Sequence, residues 1–340
     1  MKMTHVAALL AFLATIPATS AAAPRCIAVT NVATPISAPG RYCLIRDIVS
    51  ATGHGIAIKA NNVTLDFAGH KLSTPVRTTT AGQLRFGVDA SNNHTITIMN
   101  GTLQGFNDGI VLGELVTTPN PGNYVVTNMR ILDTATNGRA VGIFEATGSN
   151  VTITNNIIST VTGGNNIFGG DAFAMMIHGA SQSSSTTGKI IIKNNHINQV
   201  TSFQGGGDAV GILVEGGNET IVNGNMVTEI KAAPTSFQNS IGLNVVSINA
   251  QPGLVEVGDN FVWNSVPSAN STGIRLNNNL TNAFVRDSTV GGFSTGLELG
   301  GSCVAFYLYN SVFGATTPYS VSGTIPPTPC GQGTEGPGNR

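Results

Sequence analysis

A short motif recurs along this chain: a Gly, once an Ala, followed by alternating residues in which the first and third are apolar. It starts at Gly55, Gly87, Gly109, Gly142, Ala174, Gly211, Gly242, Gly273 and Gly296, at intervals of 22 to 37 residues. Gly211-Ile212-Leu213-Val214 and Gly242-Leu243-Asn244-Val245 show the pattern. A second alternating run follows each start, such as Val63-Thr64-Leu65, Val151-Thr152-Ile153 or Val255-Glu256-Val257. Then come an Asn at a bend and a third apolar pair: Asn156-Ile157-Ile158, Asn195-His196-Ile197, Asn225-Met226-Val227 and Asn260-Phe261-Val262. A period of two makes strands, and three short strands cannot bury their apolar sides alone. Stacked coil upon coil, they form parallel sheets around one continuous core. Asn and Gly suit the bends because they tolerate left-handed backbone, and stacked Asn side chains can ladder between coils. No amphipathic stretch of helical length separates the strands, so an α/β reading fails.

These repeats, together with Ile36-Ser37-Ala38-Pro39-Gly40-Arg41-Tyr42-Cys43-Leu44 and Asn62-Val63-Thr64-Leu65-Asp66-Phe67-Ala68-Gly69-His70, resemble the right-handed parallel β-helix (pectate-lyase-like) superfamily over roughly 34–313. The resemblance implies an all-β fold: one right-handed solenoid of about nine to ten coils with three short strands per coil. The organisation expected is a signal peptide at 1–22, an N-terminal cap at 23–45, the β-helix at 46–316 and a C-terminal tail at 317–340. Repeats longer than the 22 or 23 residues of the shortest must carry insertions. One set falls between the first and second strands (113–123, 179–188, 247–253) and another after the third (73–85, 160–170, 201–207, 231–239). Loops that recur at equivalent points of a solenoid line one side of it, often the binding side.

The N-terminus reads as an export signal. One Lys precedes the apolar run Val6 to Ile16, and Ser20-Ala21-Ala22 supplies small residues for cleavage. The run is shorter than the ~20 residues of a membrane span, and no later segment is long and apolar enough, so a periplasmic or extracellular monomer is expected. Export makes the four cysteines readable as disulfides. Three pairings are open, and Cys26–Cys43 with Cys303–Cys330 is favoured because each closes a local loop at one end. Charged residues make up only 10% and the net charge is −1, which excludes nucleic acid and anionic membranes as partners.

Aligning the repeats on their Gly turns the sequence into columns, since neighbouring coils sit about 4.8 Å apart. One residue before the Gly, the column is Phe86, Asp108, Val141, Phe173, Val210, Ile241, Thr272 and Thr295, which reads as mostly core. Three before, it is Phe106, Arg139, Asp171, Asp208, Asn239, Asn270 and Phe293, polar across its middle. Asp171 and Asp208 on adjacent coils, beside Arg139, are candidate catalytic groups. Like charges that close resist joint ionisation, so the pair would share a proton or hold Ca²⁺; Asn239 and Asn270 would contact substrate. In the resembled family, lyases of uronate polymers use acidic metal ligands with a basic proton acceptor, and hydrolases use paired acids. The alternative is that these Asp and Asn residues cap backbone N–H groups where loops enter strands. Glu145, His178 and Glu215, on three consecutive coils at the far end of the same strand, form a second candidate cluster with His178 as base. Asp171 to His178 spans up to ~23 Å if extended, which makes two separate sites the expectation. Two after the Gly, Val111, Phe144, Met176 and Leu213 form an apolar outward stripe, expected to be covered by a loop, and Arg275 and Glu298 form a cross-strand ion pair.

The chain departs from active members of the resembled family. Gly207-Asp208-Ala209 carries one Asp where a polygalacturonase has two, Gly53-His54-Gly55 sits in the first coil, and the Asp-Pro-His-Asp of alginate epimerases is absent. Two functions therefore stand side by side: a lyase or hydrolase of an acidic polysaccharide, and a non-catalytic surface or matrix scaffold or adhesin that binds glycans.

Overall fold

The computed structural model describes residues 26–75, 84–113, 122–164, 170–179, 188–203, 207–233, 238–246, 253–277, 280, 282–300 and 305–322. Every strand pairing among them is parallel and links a strand to its equivalent one coil away. The strands fall into three sheets. Sheet A holds the Gly-led strands, including 140–148, Ala172–Gly179, Ala209–Glu215, Ser240–Val246, Ser271–Asn277 and Thr295–Gly300. Sheet B holds the second strands, such as Lys189–Lys193, Glu219–Asn223 and Leu254–Gly258. Sheet C holds the third, such as His196–Ser202, Met226–Lys231 and Phe261–Trp263. The chain is a right-handed parallel β-helix. Thr317–Ser322 pairs with Thr295–Gly300, so sheet A runs past residue 316. At the other end, Ile27–Val29 and Gly40–Leu44 are already strands of sheet B.

Inside, Val, Ile and Leu of all three sheets form one core, including Ile98, Ile153, Ile192, Val222, Val257 and Val285. The Gly that opens each sheet A strand is required by close approach. A Cβ on Gly242 would lie 2.5 Å from the carbonyl oxygen of Gly273 and 2.2 Å from Val262 Cγ1. Pairing lapses at this residue, so Val141 pairs with Phe173 and then Ile143 with Met175. The strand rotates there. As a result, the column one before the Gly is buried, but outside the solenoid: Val141, Phe173, Val210 and Ile241 join Val111, Phe144 and Leu213 in a second cluster on the outer face of sheet A. This corrects the reading of that column as interior core. The apolar stripe is likewise buried, Phe144 being only 3% exposed.

The bend between sheets B and C is built from two residues. The first is left-handed, with φ of 58° at Asn155, 55° at Asn194 and 53° at Asp259. The second is the buried ladder residue. Asn156 Nδ2 donates to Asn195 Oδ1 (3.0 Å), Asn195 Nδ2 to Asn225 Oδ1 (2.9 Å) and Asn225 Nδ2 to Asn260 Oδ1 (3.1 Å). Each amide also donates to a carbonyl of sheet B one coil back, as Asn225 Nδ2 does to Ile192 O at 3.0 Å. Ser288 and Asn310 continue the column through Asn260 N–H to Ser288 Oγ and Ser288 N–H to Asn310 Oδ1.

Cys26 and Cys43 are joined, tying Ile27–Val29 to Gly40–Leu44. Cys303 and Cys330 lie outside the described residues, as do the signal segment and most of the insertions. Among the described residues, no helix is long and apolar enough to cross a membrane.

Asn225→Ala would strand the N–H and Nδ2 of Asn195 and the carbonyl of Ile192 in the dry interior. At about 1–3 kcal/mol per stranded buried group, it should lower stability by about 3–5 kcal/mol in urea unfolding. The exposed Asn282→Ala should stay within about 0.5 kcal/mol of the parent.

Candidate functional site

The polar column stacks as its spacing implies. The carbonyls of Asp171, Asp208, Asn239 and Asn270 accept the ladder N–H groups of Ala140, Ala172, Ala209 and Ser240 at 2.9–3.0 Å. The carboxylates hold the next coil. Asp171 Oδ1 accepts the N–H of Asp208 at 2.8 Å, and Asp208 Oδ1 accepts the N–H of Asn239 at 2.8 Å and its Nδ2 at 3.1 Å. A third acid uses the same device: Asp108 Oδ1 accepts the N–H of Val141 at 2.9 Å. In sequence it stands as the one charge in a mostly apolar column. Burial pushes the Asp108 carboxyl up to about 7 against the pull of Arg139 and the Val141 N–H. Burial also raises Asp171, with Asp208 adding to the rise and the N–H of Asp208 and Arg139 opposing it.

A Ca²⁺ cage needs six to eight oxygens. Asp171 and Asp208 each already hold an N–H through one oxygen, and no group of three His, Cys, Asp or Glu able to hold a metal occurs among the described residues. The described residues do not fit the ion.

Arg139 turns along the outer face of sheet A instead of pairing with an acid. Its guanidinium carbon lies 5.1 Å from the centre of the Phe144 ring and Nη1 lies 3.9 Å from Met176 Sδ. Among the described residues, no carboxylate is within ion-pair distance of it. The other face of the cluster belongs to His178, whose ring meets Phe144 edge-on at 5.8 Å. His178 Nδ1 pairs with Glu215 Oε2 at 2.9 Å, holding the Glu215 carboxyl below its ordinary value. Nε2 of His178 is buried and has no hydrogen-bond partner among the described residues. Arg139, Phe144, His178 and Glu215 therefore form one continuous line across three consecutive coils. The two expected clusters share Phe144, because long side chains span what the extended backbone separates. Phe144 and Met176, read in sequence only as a stripe, carry the join.

Glu145 does not belong to this line. Gly148 pairs with Gly179, but Glu145 with Ile177, so one strand holds an extra residue. Before that bulge the register is unbroken, and it sets Glu145 beside Leu112 and Ile177 of the core, fully buried. Oε1 accepts the N–H of Thr147, and Oε2 has no partner among the described residues. Burial pushes the carboxyl up to about 8, opposed by the N–H groups of Thr147 and Gly148. At the far end of the face, Arg275 Nε meets Glu298 Oε2 at 2.8 Å, as expected, and Thr272 Oγ1 donates to the same oxygen at 2.9 Å.

No family model matches the chain, and no curated protein matches it. Two solved structures resemble it. One is the catalytic domain of a GH87 α-1,3-glucanase variant in complex with tetrasaccharides, with 12% identity and a TM-score of 0.30 over 84% of this chain and 60% of that one. The other is the A-module of the Azotobacter vinelandii mannuronan C-5 epimerase AlgE6, with 12% identity and a TM-score of 0.28 over 85% of this chain and 91% of that one. The chain thus spans less than two thirds of the glucanase domain. Neither likeness carries an argument about activity.

A neutral Glu145 in the fold, against a carboxylate in the unfolded chain, makes the folded state bind more protons between the ordinary carboxylate pKa and about 8. Stability contributed by this group is therefore present at low pH and lost as pH rises through that window. The melting temperature of Glu145→Gln should consequently fall less than the parent's between pH 5 and pH 8 in calorimetry. Equal falls would place the proton elsewhere.

Proposed function

We propose that the protein is exported and grips an acidic polysaccharide across the outer face of sheet A, with Arg139 pairing to a uronate carboxylate. The observation that carries this reading is the guanidinium of Arg139, half-buried on the Phe144 ring and without an acid partner among the described residues. A planar fork held on an aromatic face is pre-organised for two parallel hydrogen bonds to a carboxylate. The stacked coils offer a linear polymer a linear series of contacts, and Asn239 and Asn270 stand beside that path.

Two versions of this function differ in chemistry. In the lyase or hydrolase version, His178, oriented by Glu215, moves a proton at the sugar bound beside Arg139, or Asp171 and Asp208 serve as the acids. In the scaffold or adhesin version, the face only binds. The second is favoured by the hydrogen bonds that engage Asp171 and Asp208 with the next coil. A reducing-end assay on uronate polymers separates them: release that disappears in His178→Ala marks a depolymerase, and binding without release marks a scaffold.

Arg139→Gln should weaken oligogalacturonate binding in calorimetric titration at least about tenfold, or ~1.4 kcal/mol, with little change in melting temperature. Undiminished affinity would remove Arg139 from the site.

A further inference from the structure

The chain has a single Trp, and it is not in the core. Trp263 points outward from sheet C, 37% exposed, with Phe261 two residues earlier on the same face at 39%. Their rings lie 6.2 Å apart and within 13° of parallel. One coil on, the residue in register with Trp263 is Gly291. A Cβ there would fall 2.1 Å from Cζ3 of the indole. The indole thus occupies the space a side chain would fill at Gly291. Together with Phe261 it makes an exposed aromatic floor.

One coil back on this face stand the exposed Met226, in register with Phe261, and Thr228, in register with Trp263; one coil on, Thr289 is in register with Phe261. Glu229, next to Thr228, accepts hydrogen bonds from the N–H and the hydroxyl of Ser265. Beyond it runs a groove of about 270 Å³ lined by Thr160, Thr162, Gln199, Thr201, Glu229 and Lys231. From Lys231 the surface continues into a cleft of about 510 Å³ that reaches Val266, Pro267 and Asn270. Asn270 belongs to the polar column at the entry of sheet A. Lys231, shared by groove and cleft, therefore links the outer face of sheet C with the polar column at the entry of sheet A.

We infer that Phe261 and Trp263 form a second glycan site, specific for a neutral sugar ring. A pyranose presents one face of C–H groups to an aromatic ring and keeps its hydroxyls at the rim, where the Thr228 and Thr289 side chains meet them. The only free cation bordering the groove among the described residues, Lys231, stands beside the Glu229 carboxylate, so this surface gives a uronate no net attraction. The occupant that fits is a neutral stretch of glycan. The inference deepens the polysaccharide reading, but it stands on another sheet and does not require Arg139.

The single Trp makes the test direct. The mature protein is titrated with cellohexaose, mannohexaose and hexagalacturonate while tryptophan emission is followed. A saturable change with a neutral hexaose is expected. Phe261→Ala should weaken it about tenfold, and Arg139→Gln should leave it unaltered while losing hexagalacturonate binding. That pattern keeps the two sites' failures distinguishable. Saturation-transfer NMR on the unaltered protein reads the same contact through the sugar C–H protons should Phe261→Ala not fold. Absence of any neutral-sugar response in both measurements would overturn the inference. So would a concentration-dependent dimer in sedimentation that Trp263→Ala abolishes, which would make the floor a self-association surface.

Discussion

A single coil of this protein has nothing to fold around. Its strands are only two to eight residues wide in the regular region, its apolar residues face inward, and its bends leave amides and carbonyls inside. All of this becomes stable only when the next coil arrives at about 4.8 Å, burying the apolar rows and closing the Asn156–Asn195–Asn225–Asn260 column. That column is the tightest constraint on the molecule. A buried amide must find both donor and acceptor, and each Asn does so only if its neighbours keep the same register. The register in turn aligns every other column, on the outside as well as within.

On the outside, the same repetition places chemistry. Acids at the entry of sheet A strands fasten coil to coil through backbone N–H groups, and that fixes Asp108, Asp171 and Asp208 as a row of partly or wholly desolvated carboxyls. Arg139 stands beside this row yet rests on Phe144. The outcome is a strip carrying a cation at one end and a His–Glu pair at the other, both resting on the buried Phe144 ring. Such a strip suits a ligand that is long, anionic and regularly spaced.

Much of the fold could be read from residues alone, because a solenoid writes its geometry into a period. The Asn before each third strand, the Gly before each first and the Arg275–Glu298 pair all landed where the alignment put them. The failures have physical causes. Glu145 was grouped with His178 on its charge, although it aligns one residue earlier, with Ile177, where plain alternation turns the side chain into the core. The column containing Val141 and Phe173 was assigned to the interior because strict alternation was assumed through the Gly, where the strand instead rotates. Arg139 and His178 were kept apart because backbone distance ignores how far an Arg reaches. Trp263 left no signal, since an outward aromatic in one coil breaks no pattern.

Hydrogen–deuterium exchange with and without hexagalacturonate would test the central claim most directly, because it reads the ligand's footprint along every coil at once. The account predicts added protection in peptides spanning 139–146, 172–178 and 209–215, with sheet B unchanged. Protection confined to sheet B, or none in those three segments at saturating ligand, would contradict it.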